Sequence, residues 1–181
     1  AQCGEGVDLQ GLFALSRRDR VAGGAYPPAF HGYRLQELAH AAGPASLVKP
    51  APGRTECRYA FFPGCRLGGA NPAYVERSFA FLQETLGGAG ILLNCCGVPA
   101  LWAGEEARFQ AHLERLRADW ASIGRPTLVY ACAACRRTLA RFLPEIPLIS
   151  LYELLAPAAG APPFPELAVF DPCAGADLGE V

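Results

Sequence analysis

The sequence predicts an α/β fold in which a mostly parallel sheet carries helices on both faces. Three observations predict it. Short apolar runs recur at 57–62, 90–94, 127–131 and 147–150, set off by Pro, Gly or Asn. The stretches between them place apolar residues three and four apart, the period of a helix with one buried face. Each of the first three runs is followed at once, or within three residues, by a cysteine. Strands alternating with helices in this way need right-handed crossovers, which makes the expected sheet Rossmann-like. Burial of parallel strands on both faces also explains why the runs are continuously apolar.

Residues 1–56 form a loosely organised N-terminal helical segment. One helix is expected around Val7–Arg17 and another around Tyr33–Ala42, where Leu35, Leu38, Ala39 and Ala42 share a face. The first strand is CRYAFF (57–62), ended by Pro63-Gly64-Cys65. Asn71 offers an N-cap with Pro72 at the first helical position, and Val75, Phe79, Leu82 and Leu86 follow before Gly87 stops the helix. The second strand, GILLN (90–94), runs into Cys95-Cys96-Gly97. Its helix carries Phe109, Leu113, Leu116, Trp120 and Ile123 on one side. The third strand, TLVYA (127–131), ends in Cys132-Ala-Ala-Cys135 and a helix that Pro144 stops. PLIS (147–150) is a fourth strand, and Ser150-Leu-Tyr-Glu153 reads as a capping box. An Ala- and Pro-rich linker (156–165) leads to a fifth strand, LAVF, and to Asp171-Pro172-Cys173.

The 181 residues are 51% hydrophobic and 18% charged, enough for a real core. Sixteen basic against 17 acidic residues give a net charge of -1, so no basic excess points to nucleic acid or to an anionic membrane surface. No apolar run reaches the ~18 residues of a membrane span. The first twenty residues are charged and lack the apolar core of a secretory signal, which favours a cytoplasmic location. The chain has no Met and starts at Ala1, and we read it as a piece of a larger protein.

Eight cysteines, at 3, 57, 65, 95, 96, 132, 135 and 173, are the strongest signal. A disulfide framework suits small secreted scaffolds rather than a chain with its own core. Adjacent Cys95 and Cys96 also need partners in different directions. Cys132-x-x-Cys135 alone looks like a redox dithiol, but that leaves Cys65 and Cys95-Cys96 in equivalent loops unexplained. Zinc in a tetrahedron, or an ordinary cubane, takes four sulfurs. Five, including a vicinal pair, call for something larger or less symmetric. If the three strands are neighbours, all five sulfurs meet at their carboxyl ends, where open α/β sheets place ligands. Cys132 and Cys135 also lie at a helix start, which favours thiolate.

The pattern Cys65-x29-Cys95-Cys96-Gly97-x35-Cys132-x2-Cys135, with FFPGC, NCCGVPALWAGE and YACAACRRTL around it, resembles the cysteine-rich CCG domain of the heterodisulfide reductases. The same domain occurs in the iron–sulfur subunits of glycolate, lactate and glycerol-3-phosphate oxidoreductases. The gap before the vicinal pair is slightly short for the family, and Ala133 stands where Pro is usual. The resemblance implies a first CCG domain at 57–157 and, from FDPC, the start of a truncated second one at 166–181. QCGEGVDLQGLF at Cys3 resembles the tail of an upstream ferredoxin-type cluster motif.

By resemblance, Cys65, Cys95, Cys96, Cys132 and Cys135 would hold a noncubane [4Fe-4S] cluster, with zinc as the alternative. The implied function is electron transfer and, between paired domains, thiol–disulfide reduction. The second reading is a zinc- or cluster-stabilised interaction module within a larger oxidoreductase complex. Ferredoxin-like and flavoprotein subunits or domains are the partners implied, with any peripheral membrane association made through them. Trp102 and Phe61 or Phe62 are expected to shield the sulfurs in part.

The remaining candidates read as structural. Cys57 starts a strand and reads as a small buried hydrophobe. His31, His40 and His112 follow no ligand spacing and are expected on solvated surface. The Arg17-Arg18 and Arg136-Arg137 pairs read as solvated faces, the second close enough to the cysteines to offset negative charge. Glu105 and Glu106 favour a helix start. No Walker loop, G-x-G-x-x-G after a strand, or G-x-S-x-G occurs.

Overall fold

Apolar runs that end at Pro, Gly or Asn become strands, and capped periodic stretches become helices, along most of the chain. The computed structural model describes residues 7–25, 29–158 and 160. Its elements are α1 (Leu9–Ala22), α2 (Ala29–Ala41), β1 (Leu47–Lys49), β2 (Tyr59–Phe62), α3 (Gly64–Ala70), α4 (Pro72–Thr85), β3 (Gly90–Leu93), α5 (Val98–Ala103), α6 (Glu106–Ser122), β4 (Thr127–Tyr130), α7 (Ala133–Phe142), β5 (Leu148–Ser150) and α8 (Leu151–Leu155), with a 3-10 turn at Ala156–Ala158. The predicted strand at 167–170, Cys3, Cys173 and the whole of 166–181 lie outside the described residues.

The sheet order is β1-β3-β2-β4-β5. β2 runs parallel to both β3 and β4, and β4 to β5. β1 is antiparallel on the edge, with Leu47 opposite Leu93. That edge strand adds to the prediction: three residues between Pro44 and Pro50 are too short to show a period of two. The chain leaves central β2 for β3, then crosses back to β4 and β5. This reversal opens a crevice at the carboxyl ends of β2 and β4, the switch point of a doubly wound sheet.

Alternation along the strands divides the core. Ala60, Phe62, Leu92 and Leu128 face one side, under Leu113 and Leu116 of α6 and Leu139 of α7. Phe61 and Val129 face the other, under Leu82 of α4 and Leu151 of α8. Phe61 and Phe62 are both fully buried, and each such ring stabilises the fold by about 1.5–3 kcal/mol. Leu35 and Leu38 of α2 and Ala51 are buried in the α6 side of this core, so the stretch before residue 57 supplies core side chains to the body that follows.

The punctuation behaves largely as read. The Asn71 side chain accepts the Ala73 N–H at the start of α4. Ser150 caps α8, accepting from Tyr152 at 3.2 Å rather than from Glu153. Two short helices add to the reading: α3 takes Cys65 into its first turn one residue after β2, and α5 follows the Asn94–Gly97 loop after β3.

Candidate metal centre

Each of the three central strands ends in cysteine at the same edge. Beyond β2, Pro63 and Gly64 turn the chain so that Cys65 lies in the first turn of α3. Beyond β3 come Asn94, Cys95, Cys96 and Gly97, which caps α5. Beyond β4, Cys132 is the N-cap of α7, with Cys135 inside its first turn. Because β3, β2 and β4 are neighbours, these stretches meet at the crevice.

The five cysteines are neighbours at this edge. Cys65 and Cys95 share a hydrogen bond at 3.8 Å between sulfurs. Cys96 is near enough to act on the titration of Cys95 and Cys135, and Cys135 on that of Cys132. Cys95, Cys96 and Cys135 are buried, whereas Cys65 and Cys132 are half-buried at the mouth. Gly64 allows the close approach: it takes φ +69, and a Cβ there would lie 2.8 Å from the Cys135 sulfur. Among the described residues, no three His, Cys, Asp or Glu side chains close on a single point as one bound ion would require.

Five acidic protons packed together split into two kinds. Hydrogen bonds from Cys135 and Cys95 hold the Cys96 thiol well below the ordinary range, against its burial. Cys132 is lowered to about 6 by a hydrogen bond from Cys135, helped by backbone N–H groups of Cys135 and Ala134 and by the Arg66 charge. The hydrogen bonds it donates to Cys132 and Cys96, with burial, push Cys135 well up. Cys65 is raised by its bond to Cys95 and by burial. Cys95 is pulled down by Cys65 but carried up to about 12 by Cys96 and by burial. Bound cations would favour release of the remaining protons, since a coordinating thiol must be deprotonated. The set is therefore suited to a soft metal group and costly to ionise without one.

Several expectations need correction. His112 is not on solvated surface: it is 5% exposed, and its Nε2 lies 2.7 Å from the Cys95 carbonyl oxygen. The signal was present, because residue 112 falls between Phe109 and Leu116 on the buried face of α6. Of the expected shields, Phe62 packs in the same core cluster as the cysteines, Phe61 lies on the other face of the sheet, and Trp102 is 48% exposed. Arg66 is a cation that lowers Cys132. Arg17 is half-buried, with its Nε enclosed and lacking a hydrogen bond. His40 is exposed and His31 half-buried.

Cys57 keeps the structural role read for it. It is buried at the amino ends of the strands, away from the crevice, and its thiol donates to the Ile123 carbonyl at 3.6 Å. Burial raises its pKa. Glu105 pairs with Arg108 at 3.0 Å at the start of α6. No helix of the described residues is long and apolar enough to cross a membrane.

Residues 59–140 match the family model of the cysteine-rich domain designated CCG. No curated protein and no solved structure matches the chain.

Proposed function

From the premise that residues 59–140 are a CCG cysteine-rich domain, a type associated with iron–sulfur or metal-binding redox function, we propose that Cys65, Cys95, Cys96, Cys132 and Cys135 hold one noncubane [4Fe-4S] cluster. In this reading the protein is an electron-transfer component of an oxidoreductase related to heterodisulfide reductase. The observation that carries the reading is that five cysteines follow the carboxyl ends of three neighbouring strands, with the Cys65 and Cys95 sulfurs 3.8 Å apart. Thiolates are the ligands an iron–sulfur centre takes, and the number present exceeds what a tetrahedral ion uses.

When bound, such a cluster supplies one-electron reduction and oxidation at low potential. The chain's own residues do the rest. Cys96 and Cys132, whose thiolates are favoured, are the first to offer negative sulfur. Phe62, Leu139 and Phe109 keep water from the inner three cysteines, and a dry surround tunes the potential. The half-buried Cys65 and Cys132 leave one side open to a redox partner, for which ferredoxin-like and flavoprotein subunits are the chemical candidates.

Anaerobic preparation tests this. The protein should be brown, hold about four irons with matching acid-labile sulfide, and lose them in air through the open side. Stoichiometric zinc without iron would instead favour a zinc-stabilised interaction module.

A further inference from the structure

Two adjacent cysteines pose a geometric problem that the sheet alone does not solve. Successive side chains of an extended chain point to opposite sides. Yet the Cys95 sulfur reaches Cys65, and the buried Cys96 thiol is near enough to Cys135 to shift its titration, all on one rim. The peptide planes on either side of Cys95 therefore decide where both sulfurs go.

Buried side chains hold both planes. Asn94 Oδ1 accepts the Cys95 N–H at 2.8 Å, and Asn94 Nδ2 donates to Asp119 Oδ2 at 3.4 Å. On the far side, His112 Nε2 faces the Cys95 carbonyl oxygen at 2.7 Å. A carbonyl only accepts, so Nε2 carries the proton and donates it. Gly97 makes room for the ring, since a Cβ there would lie 2.6 Å from His112 Cδ2. Asn94 and His112 are 4% and 5% exposed, and hydrogen bonds sheltered from water hold direction strongly.

We propose that His112 and Asn94 are positioning residues: by gripping the carbonyl and the amide of Cys95, they fix the directions of the Cys95 and Cys96 sulfurs and so set how firmly iron is held and its spectroscopic signature. The inference rests on the five-cysteine reading above. It also gives the glycine after the vicinal pair a physical reason, as the gap through which an imidazole reaches the backbone.

The test compares wild type with His112→Phe, which keeps a ring without the donor, His112→Gln, which keeps a donor, and Asn94→Ala. Folding is checked by circular dichroism. Iron retention against a ferrous chelator and the EPR spectrum are read on protein reconstituted with ferrous iron and sulfide. Alkylation of Cys95 and Cys96 by iodoacetamide is read on the metal-free protein. Retention should fall about 10–100-fold in His112→Phe and Asn94→Ala, the usual loss when a group orienting a ligand is removed. Their EPR line shape should change and Cys96 alkylation should accelerate, while His112→Gln stays near wild type. If His112→Phe does not fold, Asn94→Ala carries the same expectation. Unchanged retention, EPR and alkylation in the folded variants would overturn the positioning role. A wild type that holds no iron counts against the five-cysteine reading instead, and the alkylation rates then decide the positioning role alone.

Discussion

Gly64 shows how much one missing side chain does at the rim. Its φ of +69 belongs to the left-handed region, and its α-carbon faces the Cys135 sulfur at a distance no Cβ tolerates. Gly64→Ala should cost about 1–2 kcal/mol in backbone strain and also push Cys135 out of line. Denaturant unfolding should show the first loss and iron content the second. An alanine variant with wild-type iron would mean that the approach is not needed. The cysteines themselves were legible from spacing, and Cys57 from its place at a strand start. His112 lies in the core rather than on the surface because Phe109 and Leu116 bracket it at helical spacing. Arg66 left no signal, since its effect on Cys132 depends on α3 meeting the start of α7.

At the scale of elements, the two sides of the sheet should separate stability from the site. Asn71 caps α4, on the face away from the cysteines. Asn71→Ala should cost about 0.5–2 kcal/mol and leave iron content unchanged. Phe62, fully buried on the cysteine side, should cost about 3–5 kcal/mol when cut to Ala, and iron should be held less firmly. Equal effects of both on iron would show that the site merely follows global stability. The strands and long helices were legible because each has its period and its stop. α3, α5 and β1 were not, since elements of seven, six and three residues are settled by what they pack against rather than by propensity.

Convergence belongs to the whole molecule. The strand–cysteine–helix units announced sulfurs at strand ends, but the sheet order β3-β2-β4 that brings them together comes from long-range pairing, which no local pattern encodes. The proposed cluster, present as one such set, implies a functional limit. Cleaving a disulfide takes two electrons, whereas one centre exchanges them singly. With a low-potential dye as donor, the 181-residue chain should turn over no disulfide, and a chain extended by a second five-cysteine domain should. Equal turnover by both would make one domain sufficient.

Iron bound per chain across six single Cys→Ser variants, prepared without air, tests the centre most directly. The five-sulfur arrangement predicts that the variants at Cys65, Cys95, Cys96, Cys132 and Cys135 each lose most of their iron, while Cys57→Ser keeps it. Full iron in Cys95→Ser or Cys96→Ser would contradict it, because no arrangement that needs both vicinal sulfurs survives the loss of one.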